Sequence, residues 1–281
     1  MNPSDRVTST RSDRVTAVRA LHARQGRRKA GLFVVEGPQA VRSALNAGVP
    51  IRDLIVGEDA AGVFADVIAQ ADSRGITVTW ATPPVLAAMA ETNQPQGLIA
   101  VCPLLPEGSI DVVMAADGPV LLLDGVSDPG NVGTIIRTAD AAGAAGVALT
   151  PGSADVHSGK VVRSTAGSLF HLPVLSGVDA ADAAASARRQ GRTVVVATGD
   201  GPTDLFAAVD SGLLGSRTCW IIGSEAHGVS AQAREVADEA VSIPMLGRAE
   251  SLNAAVAAAV VLFVTAHAAR ENGDSDPDAR G

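Results

Sequence analysis

The stretch LLLDGVSDPGNVGTIIRTADAAG (Leu121–Gly143) decides the reading of this chain. Its leucines end an apolar run at Asp124, and Asp128-Pro129-Gly130-Asn131 is a strong turn signal. A helix follows. Buried strand, polar turn and helix in that order make one βα unit of an α/β sheet, whose ligands sit beyond the C-terminal ends of the strands. The N-terminus of such a helix exposes unpaired N–H groups that favour anions. Arg137, six residues after Asn131, is expected on the second turn, where a guanidinium can hold a phosphate or carboxylate bidentately. An ordinary turn with an exposed arginine has the same pattern. Asp124 and Asp128 fit turn formation and capping more simply than a pair of acid/base carboxylates.

Two later segments repeat the arrangement. In IIGSEAHGVS (Ile221–Ser230), Gly223 follows an apolar strand and lets a ligand lie against the backbone. Glu225 then sits beside a helix start, where its charge is favoured. His227 reads as polar surface or as a base. In IPMLGRAESLNAAVAAA (Ile243–Ala259), Ser251 is expected as the N-cap of the last helix and Asn253 in its first turn. Capping and contact with a bound substrate both remain open for that pair.

Composition bounds the rest. The 281 residues allow two domains, and 47% hydrophobic content allows a sizeable core. Aromatics are only 2%, so small and branched aliphatics must fill that core, which favours an α/β class. The net charge of −8 is uneven: residues 1–30 hold eight basic and two acidic side chains, a local +6, and the remainder carries −14. A basic head on an acidic body is a footprint of nucleic-acid binding, and equally of a solvated helix face. Cys102 and Cys219 fit no metal-ligand spacing and no disulfide framework, so reduced cysteines in a cytoplasmic protein are expected. The five histidines show no metal spacing either, and no metal is expected. No secretory signal and no membrane span are expected. GxGxxG after a strand, GxxxxGK[ST] and GxSxG are all absent, which argues against dehydrogenase, P-loop and hydrolase readings.

Along the chain, residues 1–13 read as a flexible basic arm. Val15, Val18, Leu21 and the basic residues through Lys29 suggest one short amphipathic helix. Strands at Leu32–Glu36, Ile51–Val56, Ile76–Trp80 and Gly97–Cys102 alternate with helices to give a small domain over 14–102. Residues 103–118 read as a linker, 119–270 as a second α/β domain with six strands and a long last helix, and 271–281 as a disordered tail.

Taken together, the three glycine-punctuated segments resemble the signature of the SpoU (TrmH-like) family of RNA ribose 2'-O-methyltransferases, over roughly residues 119–267 and in that family's order. GSLFHLPV (Gly167–Val174), preceded by Ser164-Thr165-Ala166, is similar to the stretch the family carries between its first two motifs. RVTAVRALHARQGRRKAGLFVVEG (Arg14–Gly37) resembles the opening of the substrate-binding domain that many members place first. The layout is similar to ribosomal RNA methyltransferases of the thiostrepton-resistance kind.

The resemblance implies a C-terminal SPOUT-type parallel sheet with a deep trefoil knot, S-adenosylmethionine on the knotted loops, and a homodimer. It implies that Arg137 activates the ribose hydroxyl and that Asn131 shapes the same site. Glu225, Ser251 and Asn253 match the polar residues of the second and third motifs. Gly223, Ile243 and Leu252 match backbone contacts to the cofactor, and Thr198-Gly199 falls where another knot loop passes. Ser224 departs from the asparagine of many members. Arg19, Arg24, Arg27, Arg28 and Lys29 are the expected RNA contacts, without aromatic stacking partners in residues 1–30. The expected function is S-adenosylmethionine-dependent 2'-O-methylation of a ribose in RNA, ribosomal RNA favoured. A transfer RNA 2'-O-methyltransferase, a non-catalytic RNA-binding factor and a small-molecule α/β enzyme are the alternatives.

Overall fold

The computed structural model describes residues 6–224 and 227–273. The chain forms two compact units, one built from residues up to 106 together with 155–171, the other from 107–154 and from 172 onward.

The first unit is a five-stranded sheet in the order β1-β4-β3-β5-β2. Its strands are β1 (Arg6–Val7), β2 (Leu32–Glu36), β3 (Asp53–Gly57), β4 (Val78–Ala81) and β5 (Leu98–Pro103). β5 runs antiparallel to β2 and β3, while β1, β4 and β3 are parallel neighbours. Helices α1 (Asp13–Ala20), α2 (Arg24–Ala30), α3 (Pro38–Asn46), α4 (Ala65–Ser73) and α5 (Pro83–Met89) cover it. Val15, Val18 and Leu21 bury against Ile55, Ile99 and Val85.

Three expectations change here. Residues 6 and 7 of the expected arm pair with Trp80 and Ala81 as an edge strand, and Asp13 already belongs to α1. Residues 1–5 lie outside the described residues. The single amphipathic helix is two helices that cross tightly: a Cβ on Gly26 would stand 1.8 Å from the Ala20 carbonyl oxygen, so only glycine fits the crossing.

In the second unit, α6 (Ile110–Ala115), β6 (Val120–Asp124), α7 (Pro129–Ala141) and β7 (Gly146–Leu149) come first. After β7 the chain contributes α8 (Gly159–Ser164) to the first unit. It returns as β8 (Val174–Ser176), α9 (Ala180–Arg189), β9 (Thr193–Ala197), β10 (Thr203–Asp204), α10 (Leu205–Asp210), β11 (Thr218–Gly223), α11 (Ala231–Glu235), β12 (Glu239–Ser242) and α12 (Ala254–Glu271). The sheet order is β10-β12-β9-β11-β6-β7-β8, all parallel. All five residues of β6 and all four of β7 are buried, as expected of strands covered on both faces.

The expected linker is corrected: it contains α6, whose Val113 and Met114 bury in the core of this unit with Val120, Leu122 and Ala187. Pro103, Pro106 and Gly108 masked a six-residue helix too short to show a period. Helix α12 is long and apolar enough to cross a membrane by length and composition. It is instead a core helix on one side, with Ala258, Val261, Leu262 and Thr265 buried and Thr265 Oγ1 accepting from the buried Trp220 indole at 2.9 Å. Glu271, placed in the tail, ends α12, and residues 274–281 lie outside the described residues.

Candidate active site

Beyond the C-terminal ends of β9, β11 and β12, three loops leave a cavity of about 360 Å³ in the second unit. Thr198 and Gly199 line it from the β9 loop, Gly223 and Ser224 from the end of β11, and Ile243 from the segment after β12. Ser251 and Leu252 line it from the approach to α12. All five residues expected to hold the cofactor, namely Thr198, Gly199, Gly223, Ile243 and Leu252, therefore share one cavity.

Local chemistry fixes each loop. Asp124, at the buried end of β6, accepts from Ser230 N at 2.7 Å and Thr150 Oγ1 at 3.2 Å, anchoring the loop after β11 to the sheet. That loop closes on itself: Ser224 N donates to Gly228 O at 3.1 Å, and Gly228 N to Ser224 O at 2.8 Å. A Cβ on Gly223 would come within 2.2–2.4 Å of the backbone of Gly228 and Val229. The glycine is thus required by the returning chain as much as by any ligand. In the β9 loop, Thr198 N donates to Val241 O at 3.0 Å. Arg234 and the Thr198 hydroxyl both donate to Asp200, and these bonds hold its carboxyl far below the usual carboxylate range.

Asp128 caps α7, accepting from Asn131 N at 2.9 Å, so its role is capping. Because α7 starts at Pro129, Arg137 falls on its third turn rather than its second, and it is exposed. Asn253, not Ser251, is the N-cap of α12, accepting from Ala255 N at 2.9 Å and Val256 N at 3.3 Å. Its Nδ2 donates to Asn131 Oδ1 at 3.1 Å, which joins the first and third segments directly. Ser251 is free of the capping role and lines the cavity, whereas Asn131, Arg137 and Asn253 do not line it. Glu225 lies outside the described residues. Among those described, Glu250 is the one charged lining residue. The sequence offered it only as a neighbour of Ser251, with no turn or cap signal of its own. No three metal-ligating side chains cluster among the described residues.

In the first unit, Arg19, Arg24, Arg28 and Lys29 are exposed. Arg27 is not: only 4% of it is accessible. Its guanidinium donates to Leu21 O at 2.9 Å, His22 O at 2.7 Å and Asp155 Oδ2 at 2.7 Å. It caps the α1–α2 junction, so its expected RNA contact is withdrawn. Burial alone would raise the Asp155 pKa, but the Arg27 and His157 bonds and charges lower it.

The profile of the SpoU rRNA Methylase family matches residues 118–263, and that of the MRM3-like substrate binding domain matches residues 12–100. The chain is 34% identical to the 23S rRNA (guanosine(2553)-2'-O)-methyltransferase RlmP of Bacillus subtilis, over 92% of this chain and 97% of that one. It is 33% identical to the 23S rRNA (uridine(2479)-2'-O)-methyltransferase of Streptomyces viridochromogenes, over 93% and 92%. The AdoMet-bound rRNA methyltransferase from Sinorhizobium meliloti superposes with a TM-score of 0.82 at 29% identity, over 93% of this chain and 97% of that one. This chain belongs to the SpoU rRNA methylase family and is an S-adenosylmethionine-dependent RNA 2'-O-ribose methyltransferase.

Proposed function

We propose that the chain methylates the 2'-oxygen of one ribose in 23S rRNA, with the second unit performing the transfer and the first selecting the RNA. The observation that carries this reading is the convergence of Thr198, Gly199, Gly223, Ile243 and Leu252 on one cavity, with Asn131 bonded to Asn253.

The cavity fits S-adenosylmethionine. Its volume lies within the usual small-ligand range of about 300–1,000 Å³. Ile222, Ile243 and Leu252 offer apolar surface for a purine, Ser242, Ser251 and the loop backbones offer polar groups, and Glu250 offers a negative charge beside a cationic ligand. Bound there, S-adenosylmethionine supplies an electrophilic methyl group. The Arg137 guanidinium offers N–H donors and no acceptor, so it is no base. Its role is to hold the RNA phosphate next to the target ribose and to polarise the 2'-hydroxyl, while that phosphate helps take the proton. Asn131, held by Asn253, orients the same hydroxyl. The loops around the cavity are proposed to form the trefoil knot; the close passage of Gly201 over β12, where a Cβ would stand 2.7 Å from the Val241 carbonyl carbon, supports a tight crossing.

The exposed apolar side chains Phe206 on α10 and Val256 and Phe263 on α12 support a homodimer formed through these helices. We place the enzyme in the cytoplasm, where ribosomal RNA is the substrate. Labelled methyl transfer to unmodified 23S rRNA tests the reading: label on a ribose supports it, and label on transfer RNA alone sinks it. The two relatives modify a guanosine and a uridine at nearly equal identity to this chain, so that likeness carries no choice of base.

A further inference from the structure

The first unit holds a second cavity, of about 340 Å³, lined by Glu36, Gly37, Gln39, Thr92, Gln94, Gln96, Arg163 and others. Its floor is electrostatically closed. The Glu36 carboxylate, 5% exposed as a residue, accepts from Glu91 N at 3.0 Å, from the Thr92 hydroxyl, and from Arg163 Nη1 at 3.4 Å. Arg163 Nη1 also reaches Glu91 Oε2 at 3.0 Å. Two carboxylates thus offset the one cation, and a phosphate gains nothing there.

The rim is different. Gln39, Gln94 and Gln96 are all exposed, and none makes a side-chain hydrogen bond among the described residues. Each primary amide brings two donors and an acceptor with two lone pairs. Such groups complement the edge of a nucleobase, whose donors and acceptors alternate over the same distances. Backbone strain accompanies them: Ala166, a lining residue, has φ +50, the one positive φ outside glycine among the described residues. Strain of this kind collects at ligand sites. Gly37 has φ +99, and a Cβ there would stand 3.4 Å from Gln96 Oε1.

We propose that this cavity takes one unpaired nucleobase of the RNA substrate and that Gln39, Gln94 and Gln96 read its edge. The site is a specificity device: it chooses which RNA is held and takes no part in methyl transfer. It rests on the proposed function, and the two can fail separately.

The test uses the full chain and unmodified 23S rRNA made by transcription in vitro. All three glutamines are exposed, so Q39A/Q94A/Q96A is expected to fold as the wild type does. The triple variant is expected to raise KM for the RNA by about tenfold or more, with kcat and the Kd for S-adenosylmethionine unchanged. The logarithmic salt dependence of RNA binding should keep its slope, because no phosphate contact is lost. Gln96→Glu, which keeps the bulk and adds a carboxylate beside Glu36, should raise KM as well. Unchanged KM in both variants, or a shallower salt slope, overturns the proposal. Binding of wild type and variant to the transcript is read separately, without cofactor. Wild-type binding without methyl transfer sinks the 23S rRNA reading and leaves the cavity to be judged on the variant's binding. No wild-type binding overturns both.

Discussion

The cavity beyond β9, β11 and β12 and the basic stretch from Arg19 to Lys29 teach opposite lessons about what a sequence encodes. The cavity is built from backbone and small side chains at strand ends, where glycine, proline and capping residues leave a local signature. The five expected lining residues meet although Thr198 and Leu252 are far apart in the chain. The basic stretch is read from charge alone, and charge does not say which guanidinium faces water. Arg27 and Arg28 are adjacent, yet one is sealed under Asp155 and the other is exposed. Geometry-bound residues are legible locally; charged residues on a helix need the tertiary partner.

That contrast can be broken with five substitutions. Arg137→Ala should lower methyl transfer by about a hundredfold to a thousandfold, while calorimetry finds the S-adenosylmethionine Kd within about twofold of wild type; near-normal turnover removes Arg137 from the reaction. Arg27→Ala leaves Asp155 without its main partner and should cost about 3 kcal/mol in denaturant unfolding. The same pair sets an acid dependence. The folded pKa of Asp155 is lowered, so its contribution is full above the unfolded carboxylate value of about 3.9 and is lost as pH falls through the folded one. Asp155→Asn should flatten that acid limb.

Gly223→Ala drives a Cβ into the Gly228 backbone and should weaken cofactor binding by about tenfold or more, with RNA binding intact. If cofactor affinity stays level, the loop after β11 yields more readily than its bonds imply. Arg28→Ala should be the mildest: unfolding free energy within about 0.5 kcal/mol of wild type, and a salt slope of RNA binding lower by about one. A large stability loss there would place Arg28 with Arg27 and erase the distinction.

Much of the parallel sheet was legible because β6, β7, β9 and β11 are nearly continuous apolar runs closed by turn residues. The two-residue strands Arg6–Val7 and Thr203–Asp204 were not, since neither carries a period and both rest on a neighbour for pairing. Helix α6 hid among prolines and glycines. The deeper miss is residues 155–171, which lie between two strands of the second sheet but pack in the first unit. There His157 meets Phe33 edge-on at 4.8 Å and accepts from Leu105 N at 3.1 Å. Arg163 floors the glutamine-rimmed cavity, 127 residues from its partner Glu36. No local pattern announces contacts at that separation. In the third segment the capping chemistry was visible, but its position was shifted: Asn253 takes the cap and thereby reaches Asn131, leaving Ser251 to the cavity.

The cavity is proposed to deliver a methyl group to a ribose oxygen. Incubating the full chain with methyl-labelled S-adenosylmethionine and unmodified 23S rRNA, then mapping the label by alkaline hydrolysis, tests it directly. The expected result is one backbone position resistant to alkali and carrying the label; label on a base, or RNA left unlabelled while the cofactor binds, contradicts it.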